Sequence, residues 1–107
     1  AMYFIATYKL TEEAQNNYAD FLAWYSKDRA EWTTSAKVVW AASNLMGEPA
    51  WDIEEWYEIE NYAALDRMRE EGAELAKRPG WEERVRLHAL YLISVSNRIA
   101  REIRIGE

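Results

Sequence analysis

The chain has no cysteine among its 107 residues. Disulfide bridges and thiolate metal sites are therefore excluded, and cysteine usage leaves the compartment open. A single histidine is also thin provision for a metal, which usually needs three or four ligands, so no metal site is expected. There is no glycine-rich phosphate loop and no Ser or Cys nucleophile motif, which makes phosphoryl transfer and hydrolase triads poor fits. No cofactor is implied. No apolar run approaches the roughly 18 residues of a membrane span. Basic residues number 13 against 19 acidic ones, a net charge of −6, with no Lys/Arg cluster before the C-terminal strand. Such a surface repels phosphate backbones and argues against a nucleic-acid partner. The opening Ala1-Met2 reads as one extra residue before a start methionine, with no signal peptide behind it, so a cytoplasmic protein is the default expectation.

What the chain does have is aromatic mass. Half of its residues are hydrophobic and 14% are aromatic, with six Trp and seven Tyr. That composition argues against disorder. Large rings dominate cores and interfaces, so their surplus in one small domain spanning residues 1–107 points to an interface or a roomy pocket.

The patterning gives alternating strands and helices. Tyr3 to Leu10 reads as a strand, and Thr11 as the N-cap of a helix that opens on Glu12 and Glu13. That helix carries Ala14, Tyr18, Phe21, Leu22 and Tyr25 on one face and is expected to end near Trp32. A second strand covers Ala36 to Met46, with Gly47-Glu48-Pro49 as the turn after it. The third strand, Trp51 to Ile59, alternates: Trp51, Ile53, Tyr57 and Ile59 are apolar, with Glu55 the exception. Its other face carries Asp52, Glu54, Trp56 and Glu58. A helix follows over roughly Asn61 to Lys77, with Tyr62, Leu65, Met68, Gly72 and Leu75 inward, until Pro79-Gly80 interrupts it. Trp81 to Val95 fits helical spacing and, from Leu87 onward, strand alternation as well. The helix is favoured because WEERVR opens with good helix formers and an acidic first turn. A final strand runs from Asn97 to Ile105.

The order β-α-β-β-α-(α)-β is the split βαβ pattern of an α+β, ferredoxin-like fold with a four-stranded antiparallel sheet. Two helices cover one face of such a sheet. The first two strands are nevertheless apolar on both sides, with Phe4 beside Ile5, Val38 beside Val39, and Trp40 and Leu45 farther along. Soluble monomers seldom expose such a face. A homodimer that pairs the open faces as a dimeric α/β barrel satisfies it with closed twofold symmetry.

The stretch WDIEEWYEIENYAALDRMR resembles the strand-to-helix passage of dimeric α/β-barrel proteins. Pro79 to Ile105 resembles the C-terminal part of NIPSNAP domains, on Gly80, Trp81, Glu82, Glu83 and Val85 at the helix start and Arg98-Ile99 at the strand entry. The first half matches in layout, with Lys9-Leu10-Thr11-Glu12-Glu13 where those domains usually carry a Lys-Pro-Gly-like turn. That departure keeps EthD-like and antibiotic-monooxygenase-like barrels in view. The superfamily includes cofactor-free oxygenases, haem-degrading enzymes, isomerases and cyclases. NIPSNAP proteins look like binding or scaffolding proteins, so the resemblance carries no catalytic set with it.

Three residues are candidates for proton chemistry. His88 titrates nearest neutrality and could be a general base, a haem ligand or a packed core histidine. Glu54 beside Trp56 would have a raised pKa in a dry cavity, or else would pair with Arg98, Arg101 or Arg104 on a wet face. Asn44 shares a strand face with Trp40, four residues away. Together Tyr8, Trp40, Asn44, Glu54 and Trp56 form the expected ligand-binding set, on the sheet face covered by the dimer. Trp81 reads as an anchor at its helix start. Three functions compete: a dimer that binds a small apolar or aromatic molecule, a cofactor-free monooxygenase or isomerase, and a protein-interaction module.

Overall fold

The computed structural model describes residues 2–31, 38–47 and 50–106. Among the described residues four strands and four helices follow one another: β1 (Met2–Leu10), α1 (Glu12–Asn16), α2 (Tyr18–Glu31), β2 (Val38–Ser43), β3 (Ile53–Ile59), α3 (Ala63–Leu75), α4 (Trp81–Tyr91) and β4 (Leu92–Arg101). The sheet is antiparallel with order β2-β3-β1-β4. This is the expected ferredoxin-like α+β architecture, and β1 and β3 occupy its centre. No helix among the described residues is long and apolar enough to cross a membrane.

Register decides which side chains meet. Opposite β1 residues, Phe4 pairs with Tyr57, Ala6 with Glu55 and Tyr8 with Ile53, so these six share one face. That face carries the helices. Ala6, Tyr57 and Ile59 pack with Ala64, Leu65 and Met68 of α3. Ile53 packs with Ala14, Phe21, Tyr91 and Leu92 at the other end. The opposite face pairs Ile5 with Trp56 and Arg98, and Thr7 with Glu54 and Ser96.

Several boundaries differ from expectation. The first helix breaks at Asn17, whose backbone leaves the helical region at φ −127°, ψ 52° while its side chain bonds back to Glu13. The inner stripe also shifts. Tyr18 and Leu22 are exposed, whereas Ala14, Phe21 and Asp28 are buried at seven-residue intervals. Trp81 to Val95 is not one helix: α4 stops at Tyr91, and Leu92 opens β4 at φ −127°, ψ 140°. The favoured helix holds for Trp81–Tyr91, and the strand alternation for Leu92 to Val95. β4 then ends at Arg101, short of Ile105. Residues 36 and 37 of the expected second strand, Trp32, and Glu48-Pro49 of the expected turn lie outside the described residues. Gly80 sits at φ 87°, where a side chain would be strained, and so lets Pro79-Gly80 turn the chain into α4.

Thr11 ties the two ends of the helical layer together. Its hydroxyl accepts from Ala14 N at 3.1 Å and donates to the Leu90 carbonyl at 2.6 Å, while its own N–H reaches Tyr91 O at 3.0 Å. Thr11→Ala removes the cap and one of these ties, and should lower stability by about 1–2 kcal/mol in urea titration.

Candidate functional site

The exception in the third strand proves central. Glu55 projects from the middle of β3 toward the helices and is 0% exposed. A carboxylate there must be met by donors. Tyr57 donates to Oε1 at 3.0 Å, and Tyr25 of α2 donates to Oε2 at 2.5 Å. Arg29, one turn farther along α2, places Nε 2.6 Å from the same Oε2. Burial, and after it the Glu55 charge, raises the hydroxyl pKa of Tyr25 and Tyr57, and pushes Tyr8 up to about 12. Burial alone would lower Arg29, but the adjoining carboxylate outweighs it and the guanidinium is held charged.

A second carboxylate continues the network. Asp28 receives Arg29 Nη1 at 2.6 Å on Oδ2 and Arg84 Nε at 2.7 Å on Oδ1, joining α2 to α4. Arg29 Nη2 lies 3.2 Å from His88 Nε2. Arginine has only donors, so Nε2 accepts and the ring proton sits on Nδ1. Burial first, then the Arg29 charge, holds His88 below its ordinary pKa. The ring stands edge-on to Tyr8 at 5.6 Å and to Trp24 at 6.0 Å.

This network backs onto a cavity of about 580 Å³ between the helix face of the sheet and helices α2, α3 and α4. Phe4, Tyr8, Tyr57, Met68, Trp81 and Val85 supply its apolar wall, and Arg29, Arg84, His88, Ser94 and Asn97 its polar one. The volume is that of a small-molecule site.

No protein-family model matches the chain, and no curated protein matches it in sequence. Solved structures do. A protein from Agrobacterium tumefaciens superposes at a TM-score of 0.69 with 20% identity, over 98% of this chain and 96% of that one. An uncharacterized NIPSNAP-like domain protein from Burkholderia xenovorans gives 0.68 at 17%, over 99% and 88%. An uncharacterized NIPSNAP domain protein from the same organism gives 0.69 at 16%, over 100% and 99%. The fold is that of NIPSNAP-like domain proteins.

Within this NIPSNAP-like fold the expected ligand-binding set divides between two faces. Tyr8 lines the helix-side cavity, together with His88. Trp40 and Trp56 stack at 4.7 Å on the opposite face, with Tyr3 edge-on to Trp56 at 5.2 Å. Glu54 accepts from both indoles, Trp51 Nε1 at 3.0 Å and Trp56 Nε1 at 2.5 Å, with Arg98 3.9 Å away. Asn44, just past β2, donates to Trp51 O at 2.6 Å. The grouping of all five in one site is therefore corrected, because the pleat sends Tyr8 and Glu54 to opposite sides of the sheet. Sequence reasoning missed Arg29, Asp28 and Arg84. Only Glu55, charged where its neighbours are apolar, signalled them.

Two outcomes follow. Arg29→Met should cost about 3–5 kcal/mol in chemical denaturation, because it strands Glu55. Arg29→Met/Glu55→Gln should cost less, giving a favourable coupling in the double-mutant cycle. The second concerns pH. His88 binds its proton less readily folded than unfolded, so its contribution is complete above the ordinary value of 6.5 and is lost as pH falls below it. The urea midpoint should drop from pH 7.5 to 5.5, and His88→Gln should flatten that drop.

Proposed function

We propose that the chain works as a NIPSNAP-family homodimer that binds a small apolar or aromatic molecule. The observation that carries the ligand reading is the cavity beneath α4, with rings and aliphatic groups around a compact cluster of polar side chains. Such a lining suits an apolar body oriented by a few hydrogen bonds.

The dimer reading draws on the other face. Trp40 is 45% exposed although it stacks on Trp56. Glu54 holds two indole N–H groups and so fixes the rings as a platform. Ordered aromatic surface of this kind is what a second copy would bury. On this reading Trp40, Trp56 and Glu54 serve the seam, and Tyr8 serves the ligand.

A cofactor-free monooxygenase or isomerase is the second reading, favoured by the contact between His88 and Arg29. The basic nitrogen of the neutral imidazole, Nε2, is engaged by Arg29, so on this reading a substrate displaces that contact before Nε2 takes its proton, and the freed cation steadies the resulting anion. Among His88, Glu54 and Asn44, only His88 lines the cavity, so the proton-carrying role falls to it.

Sedimentation equilibrium should give twice the 12.6 kDa chain mass, and Trp40→Glu should shift it toward 12.6 kDa. A concentration-independent mass of 12.6 kDa in the unaltered chain overturns the dimer. Native mass spectrometry after gentle purification should show a ligand adduct, and filling the cavity through Ala89→Phe should remove it. Bare protein in both cases counts against the ligand reading.

A further inference from the structure

We propose that the cavity selects a small aromatic or apolar molecule carrying one carboxylate or comparable oxyanion, gripped between Arg29 and Arg84. This rests on the ligand-binding reading above and narrows its ligand class.

The argument starts from how charge is sorted. The chain carries 19 acidic and 13 basic residues, yet the charged side chains lining the cavity are Arg29 and Arg84. Among the described residues no carboxylate lines it. The carboxylates that balance these arginines, Asp28 and Glu55, are 7% and 0% exposed and stand behind them. Their oxygens are occupied. Glu55 Oε1 holds Tyr57, Oε2 holds Tyr25 and Arg29, and the two Asp28 oxygens hold Arg29 and Arg84 separately.

A ligand cation entering this space would meet guanidinium groups and find no carboxylate within reach. An oxyanion would meet donors. Arg29 commits one N–H each from Nε, Nη1 and Nη2 to Glu55, Asp28 and His88. A guanidinium has five N–H donors, so these three bonds leave one N–H on Nη1 and one on Nη2. His88, with Nε2 filled by Arg29, offers an N–H from Nδ1 as well. Both arginines are held in place by carboxylates, so an anion would meet donors already oriented. Phe4, Met68 and Val85 would take the uncharged body.

The test compares two probes with the same ring system, 2-naphthoate and the uncharged 2-acetonaphthone, by calorimetry on the full chain at neutral pH. The carboxylate should bind about tenfold more tightly or better, the scale of a charge-assisted hydrogen bond. Arg84→Gln and Arg29→Met/Glu55→Gln should each cut that preference several-fold, the ratio of the two affinities cancelling any change in the cavity that both probes share. Should the double variant fail to fold, Arg84→Gln decides the matter, since that side chain is partly exposed. Equal affinity for the two probes, with both blocked by Ala89→Phe, overturns the anion selectivity and leaves the small-molecule reading standing. Binding of neither probe, or binding that Ala89→Phe does not touch, removes that reading and the proposal with it.

Discussion

A carboxylate without solvent contact must be answered from inside the fold, and the answer to Glu55 organises the helical layer. Glu55 lies in the middle of β3, and α2 supplies two of its three donors, Tyr25 and Arg29. Those two are four residues apart, one helical turn, so a single helix face delivers both. Arg29 then leans on Asp28, Asp28 on Arg84, and α4 is drawn into the same network. Burying two carboxylates and two guanidiniums is a weak source of stability compared with apolar packing. Its effect is to fix where α2 and α4 stand over the sheet. The space left between them is the cavity.

Much of this fold was legible. The four-stranded antiparallel α+β architecture followed from β-α-β-β-α-β patterning, and the N-cap at Thr11 from its place ahead of two acidic residues. The misreadings have physical causes. Leu92 and Ile93 continue the apolar spacing of α4 while also starting β4, and periodicity over so short a run cannot distinguish the two states. Tyr18 and Leu22 are apolar enough for the inner stripe, but after the break at Asn17 they stay exposed, and Asp28 turns inward beside the expected Phe21.

The site was harder to read for a different reason. Alternation in β3 identified two faces correctly, and Glu54 beside Trp56 looked like a carboxylate in a dry aromatic pocket. Its partners are two indole N–H groups, which makes it a clamp on the rings, and Arg98, as the alternative reading of an ion pair had it. Glu55 stood out as the one charge on the apolar face, and that mismatch was the stronger signal. A charged residue at a core position demands partners, whereas one on a mixed face can be satisfied by water. Arg29, nine positions before the first residue of β2, lies one turn beyond Tyr25 on the expected inner face of α2, but only tertiary packing made it the partner of Glu55.

The two faces of the sheet therefore carry different chemistry on the same strands. On the outer side the acidic group Glu54 orders the rings and leaves Trp40 partly exposed. On the inner side the acidic groups are hidden, and their arginines face the cavity. Successive residues 54 and 55 thus do opposite things: one presents aromatic surface, the other orients cations. Because the pleat alternates strictly, a one-residue slip of β3 against β1 would put Glu55 among the tryptophans and Trp56 among the helices. The Glu55 network penalises that slip, since an unpaired carboxylate is costly on either side. The same buried charge that shapes the cavity thereby helps to hold the register that makes the outer platform.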